Sequence, residues 1–161
     1  MAELVVFVGL PASGKSTFYR ERFCATHELV SKDLMPNNTR RAARQRELVT
    51  AALARGRSVV VDNTNTRRVD RAELLALARA AGATTALYHF AAPIGDCLQR
   101  NRKREGRARV PDVALFVAHK RLEPPGDDEG FDARYEVSLL APQGYAVVRM
   151  SAQVDSDRSG S

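Results

Sequence analysis

Apolar and polar positions along this chain fall into blocks that switch between short unbroken runs and a helical repeat. Leu4-Val5-Val6-Phe7-Val8 is an unbroken apolar run closed by Gly9. A run of that length ending at a turn residue predicts a strand buried on both faces. A helix is expected from Ser16 to about Cys24, and a second strand over Glu28-Leu29-Val30-Ser31. Asn37-Asn38-Thr39 offers N-cap chemistry for a helix from Arg40 to Arg55, with Leu48, Val49, Ala52 and Leu53 on one face and Gly56 as its stop. Ser58 to Asp62 reads as a third strand. Val69 to Ala81 is a helix by the spacing of Leu74, Leu77, Ala78 and Ala81, closed by Gly82, and Thr84 to Phe90 is a fourth strand. Two proline-opened helices follow, Pro93 to Glu105 and Pro111 to about Leu122, and Tyr145 to Arg149 is a last strand.

Strands that alternate with helices predict a mostly parallel sheet covered on both faces. The fold expectation is therefore an α/β three-layer sandwich over residues 1–150, with residues 151–161 as a polar, frayed tail. At 161 residues this is one domain, large enough to bury roughly 70% of its unfolded surface without a disulfide or metal staple. No apolar run approaches the ~20 residues of a membrane span, and no basic leader precedes Leu4. Cys24 and Cys97 lie far apart without ligand spacing, so we expect reduced thiols and a cytoplasmic setting. No pattern calls for an obligate protein partner.

The P-loop is the first motif that carries chemistry. Gly9-Leu10-Pro11-Ala12-Ser13-Gly14-Lys15-Ser16 fits G-x-x-x-x-G-K-[ST]. At average residue frequencies a chance match in a chain this long occurs under about 1% of the time. Glycines let successive N–H groups curl inward around phosphate oxygens, so Gly9, Ala12, Ser13, Gly14, Lys15, Ser16 and Thr17 are the expected nucleotide-binding residues. Lys15 reaches the outer phosphates and the Ser16 hydroxyl ligates Mg²⁺. ATP and Mg²⁺ are the expected cofactors.

Three further segments bear on what receives the phosphate. Ser31-Lys32-Asp33 places a carboxylate at the carboxyl edge of the sheet, where a general base or a turn cap would sit. Asp62-Asn63-Thr64-Asn65 puts four small polar residues at a strand end. There Asp62 would hold a metal-bound water, or the segment would form an Asx-rich turn. Arg100 to Arg109 is strongly basic and is broken at Gly106, which reads as a hinged lid over residues 93–122 or as a solvated helix face. Within the helix expected there, Arg100 and Arg104 would share a face. The chain carries +6 overall, with 21 Arg against 4 Lys. That bias suits anionic partners but also follows from a GC-rich composition, and charge alone decides neither.

These stretches resemble the kinase domain of polynucleotide 5′-hydroxyl kinases. The resemblance runs over Val8–Phe18, Ser31-Lys32-Asp33, Val61–Asn65, Arg100–Arg104, Val110-Pro111 and Pro125 through Glu129-Gly130-Phe131, in order from about residue 4 to 140. It implies a P-loop kinase that moves the ATP γ-phosphoryl group to 5′-hydroxyl ends of DNA or RNA. It also implies Asp33 as general base, Arg104 as the arginine stabilising the transferring phosphoryl, Arg100 as its helical partner, and Asp62 as the acidic residue of the active-site tunnel. Two positions depart from the pattern: Lys32 stands where an arginine is expected, and Pro36 where the phage-type enzyme has one. Arg40, Arg41 and Arg44, with Asn63, Thr64 and Asn65, are the candidates for contacting the acceptor.

Overall fold

The computed structural model describes residues 1–35, 39–140 and 143–151. Six strands form one sheet: β1 (Glu3–Val8), β2 (His27–Val30), β3 (Ser58–Asp62), β4 (Thr84–Phe90), β5 (Ala133–Leu139) and β6 (Tyr145–Arg149). Their order is β2-β3-β1-β4-β5-β6, parallel throughout except for the antiparallel β5–β6 pair. The central strand β1 is the unbroken apolar run, and Leu4 to Val8 are fully buried. Its side chains divide by parity. Leu4, Val6 and Val8 face helices α2 (Arg41–Ala54) and α3 (Arg68–Ala80) through Val49, Ala52, Leu53, Leu74 and Ala78. Val5 and Phe7 face α1 (Lys15–Arg22) through Phe18 and a cluster of edge-on aromatic rings. This is the expected mostly parallel three-layer sandwich.

Residues 93–122, the expected lid, form a pair of helices, α4 (Ile94–Arg102) and α5 (Asp112–Arg121). Cys97, Leu115 and Ala118 pack under Leu10 and Ala12, so the pair sits against the P-loop. Among the described residues no helix is long and apolar enough to cross a membrane.

Several boundaries differ from the sequence reading. Strand β5 was not expected, although Ala133, Tyr135, Val137 and Leu139 alternate with Arg134, Glu136 and Ser138 as a half-buried strand should. Helix α4 ends at Arg102 rather than Glu105. Arg104 therefore lies beyond the helix and does not share a helical face with Arg100. The physical reason is Asn101, fully buried, which donates to Val110 O at 2.7 Å and accepts from Val110 N at 3.0 Å. This pairing turns residues 102–109 into a closed loop. At α2 the N-cap position is Arg40, with no side-chain cap. Asn37 and Asn38, like Pro36 and the tail from residue 152, lie outside the described residues.

Candidate active site

The carboxyl edge of the parallel strands gathers the chemistry. Strand β1 runs into the P-loop, β3 ends on Asp62, and β2 leads through Ser31 into a short 3-10 helix, Lys32–Leu34. In such sheets the ligand crevice lies outside this edge, where neighbouring strands turn to opposite sides.

The P-loop has the backbone its sequence requires. Gly14 takes φ +95° and Ala12 φ +62°, both in the left-handed region that turns amides inward. Lys15 is buried, and its ammonium donates to Gly9 O at 3.0 Å and Leu10 O at 2.7 Å. Burial pushes its pKa down to about 8, against the attraction of Asp62. Ser16 Oγ, on the exposed side of α1, donates to Asp62 Oδ2 at 3.1 Å. Burial raises the Asp62 carboxyl, while Lys15 and the Ser16 hydroxyl oppose that rise. A hydroxyl and a carboxylate oxygen meeting beside a lysine form a hard-oxygen donor set. Neighbouring ligands of an octahedral Mg²⁺, each ~2.0–2.1 Å from the ion, lie about 2.9 Å apart, so the pair fits such an ion. Among the described residues there is no cluster of three or more His, Cys, Asp or Glu side chains that would form a separate metal site.

Asp33 lies across from this pair. Capping of the short helix falls to Ser31, whose Oγ accepts from Asp33 N at 3.3 Å. The exposed Asp33 carboxylate makes no hydrogen bond among the described residues, and its charge acts on both Lys15 and Asp62. The cap reading of Asp33 is thereby replaced by Ser31. From the lid, Arg100 donates to Ala12 O at 3.3 Å, which ties α4 to the P-loop. Arg104 donates to Ala108 O at 3.3 Å, and its charge also acts on Lys15 and Asp62. Asp33, Arg104, Lys15 and Asp62 thus share one electrostatic environment.

The acceptor candidates divide. Arg40, Arg41 and Arg44 are exposed at the start of α2. Arg41 Nε donates to Met35 O at 3.0 Å, and Arg44 pairs with Glu47 at 3.3 Å. Asn63 and Asn65 are struts instead. Asn63 accepts from Lys32 N at 2.9 Å and donates to Gln45 at 2.6 Å, joining the end of β3 to the 3-10 helix Lys32–Leu34 and to α2. Asn65 is buried at φ +45° and donates to Phe7 O at 2.7 Å. Its amide is sealed between strands, so the expectation that it contacts an acceptor is corrected. Thr64 contributes its backbone carbonyl to Gly9 N at 3.1 Å.

The family model described as an AAA domain matches residues 4–125, from β1 through the lid. The chain belongs to the AAA domain family. Among curated proteins it is similar to the bifunctional polynucleotide phosphatase/kinase of Schizosaccharomyces pombe, 26% identical over 147 residues. That match covers 89% of this chain but 35% of the relative, so the AAA domain spans about a third of that protein's length. Among solved structures, a sugar kinase from Janibacter superposes with TM-score 0.64 at 19% identity, covering 86% of each chain. A fungal RNA kinase superposes with TM-score 0.63 at 15% identity, covering 86% of this chain and 38% of that one. Both likenesses show the fold.

Sequence reasoning passed over three residues that build this site. Gln45, buried in α2, holds Asn63. Asn101 closes the lid loop. Arg71 is fully buried and pairs with Glu129 at 2.7 Å. Glu129 and Asn101 both fell in stretches that carried the family resemblance. Arg71 precedes Leu74 by three positions and Ala78 by seven, so it falls on the apolar face of its helix; that spacing was the available sign of its burial, and it was not read.

Proposed function

We propose that this AAA domain transfers the γ-phosphoryl group of ATP to the 5′-hydroxyl of a DNA or RNA strand. The observation that carries this reading is Asp33, an exposed carboxylate relieved of capping duty and electrostatically coupled to the P-loop lysine and Asp62. A nucleotide-binding switch has no need of such a group.

In this mechanism the amides of residues 12–17 and the Lys15 ammonium cradle the triphosphate. Lys15 leaves the carbonyls of Gly9 and Leu10 to do so. Ser16 and Asp62 would hold Mg²⁺, which supplies charge neutralisation on the phosphate oxygens. Asp33 accepts the proton of the acceptor hydroxyl as its oxygen bonds to the γ-phosphorus, and the β–γ bridging oxygen leaves with ADP. Arg104 neutralises charge developing on the transferred group, and Arg100 holds the lid against the P-loop. Arg40, Arg41 and Arg44 line the approach beyond Asp33, where guanidinium groups would meet strand phosphates. The similarity to the fission-yeast phosphatase/kinase supports a polynucleotide acceptor.

A second reading, transfer to a small-molecule hydroxyl, is supported by coverage, since the match spans 86% of the sugar kinase but 38% of the RNA kinase. Incubation with γ-labelled ATP, Mg²⁺ and either a 5′-hydroxyl oligonucleotide or a panel of sugars separates the two. Label at the oligonucleotide 5′ end, competed by non-specific nucleic acid, is the expected result. Label on a sugar alone selects the second reading, and hydrolysis or binding without transfer to either removes both.

A further inference from the structure

Arg71, in the first turns of α3, is fully buried, and all five of its N–H donors are used. Nε and one terminal nitrogen grip Glu129 at 2.7 and 3.1 Å. That same terminal nitrogen donates to Glu123 O at 2.9 Å. The other donates to Asn65 O at 2.9 Å and Thr66 O at 3.1 Å. Three separated segments therefore converge on one guanidinium. They are the loop that follows Asp62, the residue two places beyond the end of lid helix α5, and the turn Gly126–Glu129.

The segments are also joined to one another and to the P-loop. Glu123 N donates to Thr66 O at 2.7 Å, and Gly126 N donates to Glu129 Oε2 at 2.8 Å. Thr64 O receives Gly9 N, and Asn65 reaches Phe7 O. Buried ion pairs rarely add net stability over apolar side chains of the same volume. What a guanidinium supplies is a rigid fork, which a lysine ammonium does not have.

We propose that Arg71 is a positioning residue. With Glu129 it locks the root of the lid and the loop that leaves β3 directly after Asp62 into one unit, and so sets where Asp62 stands against Ser16. The inference rests on the phosphotransfer reading for its catalytic consequence, but the locking itself does not.

Two variants test it: Arg71→Lys, which keeps the charge and loses the fork, and the pair Arg71→Met with Glu129→Gln, which removes both charges together. ADP affinity is measured with and without Mg²⁺, alongside kcat and KM for ATP and amide exchange at Gly9 and Glu123. We expect folded proteins with Mg²⁺-free ADP affinity within about 3-fold of wild type, because Arg71 and its partners make no contact with the amides of residues 12–17 that cradle phosphate. The Mg²⁺ enhancement of affinity and kcat should each fall ~10-fold or more, the usual cost of losing a residue that orients a metal ligand. KM for ATP, measured with Mg²⁺, should rise by no more than the lost enhancement, and exchange at Gly9 and Glu123 should quicken together. Folded variants that keep the Mg²⁺ enhancement overturn the proposal. So does a parallel loss of Mg²⁺-free affinity, or failure of both variants to fold, since either marks a role in general stability. If wild type transfers phosphate to no acceptor, the proposed function fails while the Mg²⁺ and exchange measurements still decide the locking.

Discussion

Ser16 Oγ donates to Asp62 Oδ2 at 3.1 Å, which joins the first turn of α1 to the last residue of β3 across 46 positions of sequence. The contact sets two needs against each other. Asp62 is buried, so its charge is unfavourable to folding, yet a hard anionic oxygen is what a cation beside Ser16 requires.

Asp62→Asn should therefore separate stability from activity. The Asp62 carboxyl is raised in the folded protein, so the charged form lowers stability at neutral pH; that cost shrinks as pH falls through its raised value and is gone below the ordinary carboxylate range. The amide keeps the shape and removes the charge. We expect an unchanged or higher Tm at pH 7 together with a fall in kcat of ~10² or more. A lower Tm with normal turnover would make Asp62 a structural residue.

Asp33→Asn keeps the side chain's size and removes its basicity. The expected outcome is a fall in kcat of about 10²-fold, the usual contribution of a general base, with nucleotide affinity little changed. The Ser31 cap donates to nothing on this side chain, so Tm should not move. Loss of nucleotide affinity with intact kcat would assign Asp33 to binding.

Lys15 predicts a pH effect on binding. Its pKa stands at about 8 because burial disfavours the ammonium. Nucleotide phosphates would restore the charged form, so above pH 8 binding takes up a proton and affinity falls as pH rises, by up to about tenfold per unit. Calorimetry in buffers of different ionisation enthalpy reads that uptake directly. Lys15→Arg should abolish the dependence, because guanidinium stays charged throughout this range. A flat affinity from pH 7 to 9.5 in the wild type would contradict the assignment.

The two sides of the lid loop should behave differently. Arg104→Ala removes a charge that acts on Lys15 and Asp62, and is expected to lower kcat. Arg107 is exposed in the short 3-10 helix Gly106–Ala108, three residues further along the loop. Arg107→Ala should leave kcat alone and, with a polynucleotide acceptor, raise KM and flatten its salt dependence. Equal effects on kcat would place the loop differently over the site.

Much of this protein was legible in its residues. Unbroken apolar runs cannot be exposed, so β1, β3 and the parallel sheet followed from pattern alone. A Gly-rich turn between such a strand and a helix has few uses besides binding phosphate. The alternation of residues 133–139 carried β5 as well, although that strand was not read from it. What only the tertiary structure decided is how polar side chains are spent. Asn63 and Asn65 looked alike as small polar residues at a strand end, yet both are consumed in holding backbone that lies far away in sequence. Arg104 looked helical until a buried asparagine ended the helix at Arg102. Arg71 looked like surface until backbone carbonyls from two segments and the Glu129 carboxylate from a third met around it. Apolar burial is a short-range pattern that period and run length report. The partner of a hydrogen bond is chosen by whichever backbone the fold brings near, and no local stretch of sequence contains that information.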